Sequence, residues 1–171
     1  MLNENHIQGY THAEYRYGLY YNNELVQGIG ITKKAHKQGE VELNRMVTIK
    51  NTQVVGGFSK LVKYVSQKLN SDIVSYIDRR MFDGKGYYNS NFNIVKKNPP
   101  TYFYTNFKMH NEKFIFPRYR FMLKNIKRDY ELGLLKYYNP NETEEVNMMK
   151  NKYYRIYNCG TIKVVYKFHL T

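Results

Sequence analysis

Tryptophan is absent from the 171 residues, cysteine occurs once, proline four times, and Asp and Glu together number 14 against 27 Lys and Arg. Each shortage excludes something. The single thiol, Cys159, cannot close an intramolecular disulfide, which fits a reducing compartment; it is expected as a buried thiol near a strand. No apolar run approaches bilayer-spanning length, and the N-terminus has no basic region followed by an apolar stretch, so no membrane partner is expected. The predicted location is the cytoplasm, that of a bacterial host if the chain is phage-encoded. The shortage of acid leaves a formal charge of +13. A field of that sign draws polyanions, nucleic acid first and DNA ahead of RNA. A solubility surplus, or a ribosome- or membrane-surface role, is the alternative that charge alone leaves open.

The aromatic content points the same way. The 19 Tyr and 9 Phe often sit beside basic or Asn residues, as in Tyr15-Arg16-Tyr17 and Tyr119-Arg120-Phe121. Rings interleaved with cations stack on unpaired bases while the cations meet phosphates, although the core is the alternative home for any single ring. Arg79, Arg80, Lys96, Lys97, Arg118, Arg120, Lys124, Lys127 and Arg128 are the candidate phosphate contacts, with His6 as a structural or DNA-contacting residue. A solvated basic face is the competing reading for any one of them.

The length fits one domain, expected to span 1–171 with a core at about 18–105 and a basic aromatic extension at 106–171. Residues 18–21 and 25–31 flank Asn22-Asn23 and read as a hairpin. Residues 40–49 alternate as a strand with Arg45 in its middle. From Gly57 the apolar residues Phe58, Leu61, Val62, Val65 and Leu69 recur at helical spacing. Residues 72–78 are short and β-rich, as in a central strand, and residues 84–90 suit a short helix. Strands over 93–97 and 101–105 are separated by Pro99-Pro100. A helix over 141–149 and a closing hairpin over 153–168, turning at Asn158-Cys159-Gly160, complete a mixed α/β order.

The chemistry concentrates at Val55-Gly56-Gly57-Phe58-Ser59-Lys60. A glycine-bearing turn between a strand and a helix offers free backbone N–H groups and the positive end of the helix dipole, which together bind phosphate. A plain turn is the alternative reading. Metal chemistry is not expected. His12 and His36 are not at metal-ligand spacing, and Glu40, Glu42, Glu142, Glu144 and Glu145 read as solvated faces rather than a carboxylate cluster of a nuclease.

Strand, glycine turn, amphipathic helix, strand and a Tyr-bearing short helix ending at Asn91-Phe92 resemble the core of the GNAT acyltransferases. The fold so implied is α/β with mixed α+β character, a central, mostly antiparallel sheet flanked by helices. The resemblance implies an acetyl-CoA or related acyl-CoA pyrophosphate on Val55, Gly56, Gly57, Phe58, Ser59 and Lys60, and a Tyr on the later helix as acid for the departing thiolate. The chain departs from the family pattern at Phe58, where the turn usually closes with a small residue. Several further motifs, Asn5-His6-Ile7-Gln8-Gly9, Glu42-Leu43-Asn44-Arg45, Val74-Ser75-Tyr76-Ile77-Asp78-Arg79-Arg80 and Arg155-Ile156-Tyr157-Asn158-Cys159-Gly160, look like the C-terminal region of phage Vsr-type homing endonucleases, without the nuclease core.

The arrangement is also similar to the Mom-type DNA-modification acyltransferases of phage Mu. That similarity implies an active cleft of Arg45, Ser59, Asp78 and Tyr88. Asp78 would orient or deprotonate an exocyclic amine, Tyr88 would protonate a thiolate, and Arg45 would neutralise a phosphate or oxyanion. A salt-bridged strand end is the alternative for Asp78. The expected function is transfer of an acyl-CoA-derived group to a DNA base; a catalytically silent DNA-binding module is the alternative.

Overall fold

The computed structural model describes residues 2–6, 10–33, 37–107 and 115–168. Ile7, Gln8, Gly9 and His36 lie outside them. In chain order the elements are α1 (Leu2–Asn5), β1 (Tyr15–Tyr21), β2 (Glu24–Thr32), β3 (Glu40–Thr48), α2 (Gly57–Leu69), β4 (Asp72–Asp78), α3 (Lys85–Tyr88) and β5 (Asn93–Asn98). Then follow β6 (Tyr102–Thr105), β7 (Phe116–Pro117), a 3-10 turn over Arg118–Phe121, α4 (Leu123–Glu131), α5 (Glu144–Lys150), β8 (Tyr154–Tyr157) and β9 (Thr161–Tyr166). The chain divides into two compact units, Met1–Asn98 with Thr161–Thr171, and Pro99–Gly160.

The first unit is a six-stranded sheet in the order β1-β2-β3-β4-β9-β5. The β3–β4 pair is parallel and every other pairing is antiparallel. Asn22 and Asn23 both take positive φ, 47° and 65°, which is the two-residue turn whose twist matches a hairpin. Helix α2 lays Phe58, Leu61, Val62 and Val65 against Ile29, Ile31, Val41, Leu43, Ile73 and Ile77. Each such side chain contributes about 1.5–3 kcal/mol by leaving water. The helix stops at Asn70, left-handed at φ 48°, whose N–H reaches the Gln67 carbonyl at 3.3 Å.

The second unit carries a three-stranded sheet in the order β7-β6-β8. Its core is Tyr104, Phe121, Ile126, Leu135 and Met148. The buried Asp129 carboxylate accepts from Arg120 and, at 2.8 Å, from Arg128. Thr143 caps α5 by accepting from the Val146 N–H at 3.3 Å.

Two expectations are corrected here. No closing hairpin forms, because β8 pairs with β6 whereas β9 pairs with β4 and β5. Gly160 alone in this loop has positive φ, at 77°, which a three-residue hairpin loop would also show, so the strands' distant partners and not the turn decide the pairing. Asn158 Oδ1 instead accepts from the Thr101 and Gly160 N–H groups at 2.8 and 2.9 Å, which ties the loop to the start of β6. Cys159 is exposed rather than buried, since it lies in that loop and not in a strand.

Gly57 is the glycine that packing demands most. A Cβ there would stand 2.3 Å from Gln27 Oε1 and 2.5 Å from Val54 Cγ1, whereas one on Gly86 meets nothing within 4 Å. Gly57→Ala is therefore expected to lose about 1–3 kcal/mol of stability, and Gly86→Ala to stay within about 0.5 kcal/mol of wild type. Urea unfolding of both variants checks the contrast.

Candidate functional site

Strands β3 and β4 are hydrogen-bonded partners only over Glu40–Asp72, Val41–Ile73 and Glu42–Val74. Beyond that, residues 45–48 of β3 pair with β2 alone and residues 75–78 of β4 pair with β9 alone. The two neighbours therefore part in mid-sheet and expose edge backbone between them. A hydroxyl chain closes the apex of the opening. Buried Ser75 Oγ donates to the Leu43 carbonyl at 2.9 Å, and the Tyr87 hydroxyl stands 3.0 Å from the same oxygen. Burial raises the Tyr87 phenol above its ordinary range, against the opposing effect of its Ser75 bond, so it keeps its proton at neutral pH.

The turn before α2 lies on the same face of the sheet. Gly56 is left-handed at φ 68° and no side chain caps the helix. The Gly57 N–H donates to the Val54 carbonyl at 3.2 Å and the Lys60 N–H to the Gly56 carbonyl at 3.0 Å. The amides of Phe58 and Ser59 precede the first intrahelical bond and are the helix's orphan donors. A Cβ on Gly56 would meet nothing within 4 Å, so the outer side of the turn is open. Val55 projects from it, 90 % exposed. Beneath it the buried Gln27 Oε1 has no hydrogen-bond partner among the described residues, although its Nε2 donates to Thr48 at 2.9 Å.

Phe58 does not obstruct this turn. Its ring is 8 % exposed, stacked with Phe92 at 5.9 Å and edge-on to Tyr87 at 5.3 Å. Helical geometry sends the residue after Gly57 into the core, while the backbone of the turn stays outside. Ser59 Oγ lies 2.8 Å from Ser90 Oγ and so joins α2 to the end of the α3 segment. Tyr88 packs beside Gly84 and is half-buried.

Arg45 and Asp78 occupy the other face. Gly30 faces Arg45 while Ile31 faces Leu43, so Asn44 is an extra residue in β3. This bulge reverses the alternation: Val41 and Leu43 point into the core, and Arg45 points away from it. Asp78 accepts from the Arg80 N–H at 3.0 Å and from its guanidinium at 2.6–3.2 Å. The Arg80 hydrogen bond holds the Asp78 carboxyl below the ordinary aspartate range. His6 is lowered by burial and, second, by the Arg45 cation, so its imidazole is neutral at pH 7. The four residues expected to share a cleft thus flank the opening from two faces, Ser59 and Tyr88 on one and Arg45 and Asp78 on the other.

The expected phosphate contacts divide by partner. Arg80, Arg118, Arg120, Lys127 and Arg128 each have a carboxylate within 4 Å, Arg120 and Arg128 sharing the buried Asp129. Arg79, Lys96, Lys97 and Lys124 are exposed. Glu142 and Glu145 pair with Lys150 and Arg155, and Glu144 accepts from the Tyr102 and Tyr104 hydroxyls. Among the described residues no three or more His, Cys, Asp or Glu side chains gather as a metal site, and no helix is long and apolar enough to cross a membrane.

Gln27, Ser75 and Tyr87 line the candidate site and were not revealed by sequence pattern. Only Tyr87 had a signal, as the neighbour of Tyr88 on the same short helix. The Ser75 hydroxyl matters because the strands part beside it, and that parting is invisible in one strand's sequence.

No protein-family model matches the chain, and no curated protein matches it. Among solved structures it is similar to the ribosomal-protein-S18-alanine N-acetyltransferase of Escherichia coli, at 8 % identity over 99 % of this chain and 85 % of that one, with a TM-score of 0.50. A Bacillus subtilis acetyltransferase in complex with CoA gives 12 % identity over 90 % and 76 %, TM-score 0.48. A GNAT family acetyltransferase from Elizabethkingia anophelis with acetyl-CoA bound gives 14 % over 89 % and 74 %, TM-score 0.45. At such identities the likeness is one of architecture, and the fold is GNAT-like: a mixed sheet, mostly antiparallel, with helices against it.

Proposed function

We propose that the chain is an acyl-CoA-dependent transferase whose acceptor is an amine on nucleic acid, a DNA base first. The observation that carries this reading is the opening between β3 and β4, with an uncapped helix N-terminus beside it, on a GNAT-like fold. Acetyl-CoA or a related acyl-CoA fits what lines that opening. The orphan amides of Phe58 and Ser59, the open side of Gly56 and the α2 dipole suit a pyrophosphate, with Val55, Gly57 and Lys60 completing the turn. The unpartnered Gln27 Oε1 under the same turn awaits an N–H donor. When bound, acyl-CoA supplies an acyl group activated as a thioester.

The chain's own residues then divide the proton work. Tyr88 holds a proton for a departing thiolate, as the resemblance implies, and Tyr87 keeps the apex of the opening closed through Ser75. Asp78 is ionised and, held low by Arg80, is a weak base near pH 7. It is suited to orient an acceptor amine rather than to deprotonate it; the proton the amine loses on acylation would pass to water, from which the Tyr88 phenol regains its own. Arg45 supplies positive charge on the same face, for an acceptor phosphate or a developing oxyanion. The charge of +13 supports a polyanionic acceptor. The Asp78–Arg80 ion pair also favours a second reading, a DNA-binding module without catalysis, related to the C-terminal region of phage homing endonucleases.

Calorimetry with acetyl-CoA separates the two. The transferase reading predicts one site per chain with micromolar affinity, and absence of binding at about millimolar ligand removes it. Mass spectrometry of nucleosides from cells expressing the chain is expected to reveal an acyl-type adduct that an Asp78→Ala variant no longer makes. The Asp78 carboxyl has a folded pKa below its unfolded value, so its contribution to stability is present above the ordinary aspartate range. That contribution is lost as pH falls through the folded value. Arg80→Ala is expected to raise the Asp78 pKa toward the ordinary aspartate range, read by carboxyl-carbon NMR; an unchanged titration would contradict the pairing.

A further inference from the structure

The face of β1, β2 and β3 turned away from α2 holds a groove of about 490 Å³. Its floor is Gly18, Gly28 and Gly30. Gly18 and Gly28 are direct Cα partners, and Gly30 follows two residues on, so adjacent ladder positions show bare backbone. Glycine weakens a strand interior and there marks a bulge, a bend or a close approach by another group. At two of these positions packing accounts for it. A Cβ on Gly18 would lie 2.4 Å from Leu25 Cδ1, and one on Gly30 would lie 2.9 Å from Asn44 Oδ1 and 3.2 Å from Ala13 Cβ. At Gly28 the nearest atoms would be at 3.5 and 3.8 Å, ordinary contact, and its φ is not left-handed. Packing therefore permits a side chain at position 28, and none is present.

The walls give the groove its chemistry. Tyr10 and Tyr20 are 55 % and 68 % exposed and border it. The Arg16 guanidinium lies 5.8 Å from the Tyr10 ring centroid and donates to its hydroxyl at 3.1 Å. Arg45, turned outward by the Asn44 bulge and donating to the Asn44 carbonyl at 2.7 Å, lines the other side, and the Glu4 carboxylate is also part of the lining. Asn44 Oδ1, a buried acceptor at the floor's edge, has no partner among the described residues, while its Nδ2 donates to the His12 carbonyl at 2.9 Å.

A flat bare floor, two exposed phenol rings, two guanidinium groups and an acceptor lacking a donor fit one ligand class. A nucleobase is planar, stacks on aromatic rings and carries N–H donors, and its phosphate meets arginine forks. Bases stacked inside an intact duplex cannot lie flat on a protein floor, so the ligand is a nucleotide out of the stack. We propose that this groove binds one unpaired nucleotide of a nucleic-acid strand, its base over Gly28 against Tyr10 and Tyr20 and its phosphate on Arg16 and Arg45. The inference rests on the nucleic-acid part of the functional reading above and names the acceptor's seat within it. Arg45 belongs to the arm of β3 that has parted from β4, so the groove adjoins the opening.

The test is fluorescence anisotropy with a labelled single-stranded DNA of about 12 nucleotides at low salt, alongside the same sequence as a blunt duplex. Wild type is expected to prefer the single strand. Tyr20→Ala, which removes an exposed ring, and Gly28→Val, which fills the floor, are each expected to weaken it about tenfold or more, with acetyl-CoA binding by calorimetry unchanged. Circular dichroism monitors folding, and if Gly28→Val does not fold, Tyr20→Ala decides. The proposal is overturned if wild type fails to bind the strand, if it prefers the duplex, or if the folded variants bind within about twofold of wild type. Loss of strand binding in the variants, in a protein that never binds acetyl-CoA, would keep the groove and remove the transferase.

Discussion

Strands β3 and β4 run parallel, share hydrogen bonds over three residue pairs, and then separate. A parallel ladder bonds at even spacing along both strands. Here the edges of both strands are released in the interior of a six-stranded sheet. The cost of unpaired backbone is held locally by Ser75, whose hydroxyl bonds the Leu43 carbonyl where the ladder stops. The Tyr87 hydroxyl, from α3, meets Ser75 Oγ, and its ring locks with Phe58 and Phe92. The apex of the opening is thus tied to the start of α2 through one aromatic cluster.

The opening has two unlike faces. On the α2 side lie backbone donors, the hydroxyls of Ser59, Ser75 and Ser90, and the Tyr87 phenol, whose proton burial retains. On the other side lie Arg16, Arg45, Asp78 and the glycine-floored groove. The Asn44 bulge makes this difference, since without it the strict alternation of β3 would send the Arg45 side chain toward α2. On the proposed reading, donor and acceptor would approach the gap from its two faces and would not compete for the same contacts.

Much of the first unit was legible from pattern. The Asn22-Asn23 turn, the period of α2 and the apolar run of β4 are local signals, and β4 occupies residues 72–78 as read. The closing hairpin was misread because β8 and β9 look alike locally and differ only in their distant partners. Arg45, Ser59, Asp78 and Tyr88 were legible as chemistry-bearing residues, but the face each one occupies was not. A bulge and a parted ladder are properties of pairing, and pairing is not written in one strand. The basic residues show the same limit: Arg120 and Arg128 read as phosphate contacts, whereas the buried Asp129 that binds both became visible only in the fold.

If the parted strands and the turn before α2 form one ligand site, acetyl-CoA must protect the backbone of both. Hydrogen–deuterium exchange with and without acetyl-CoA tests it most directly, because it reports on the backbone amides themselves. Added protection is expected over residues 54–60 and over the separated ends of β3 and β4, with little change in the second unit. Unchanged exchange at Phe58 and Ser59 in the presence of saturating ligand would contradict it.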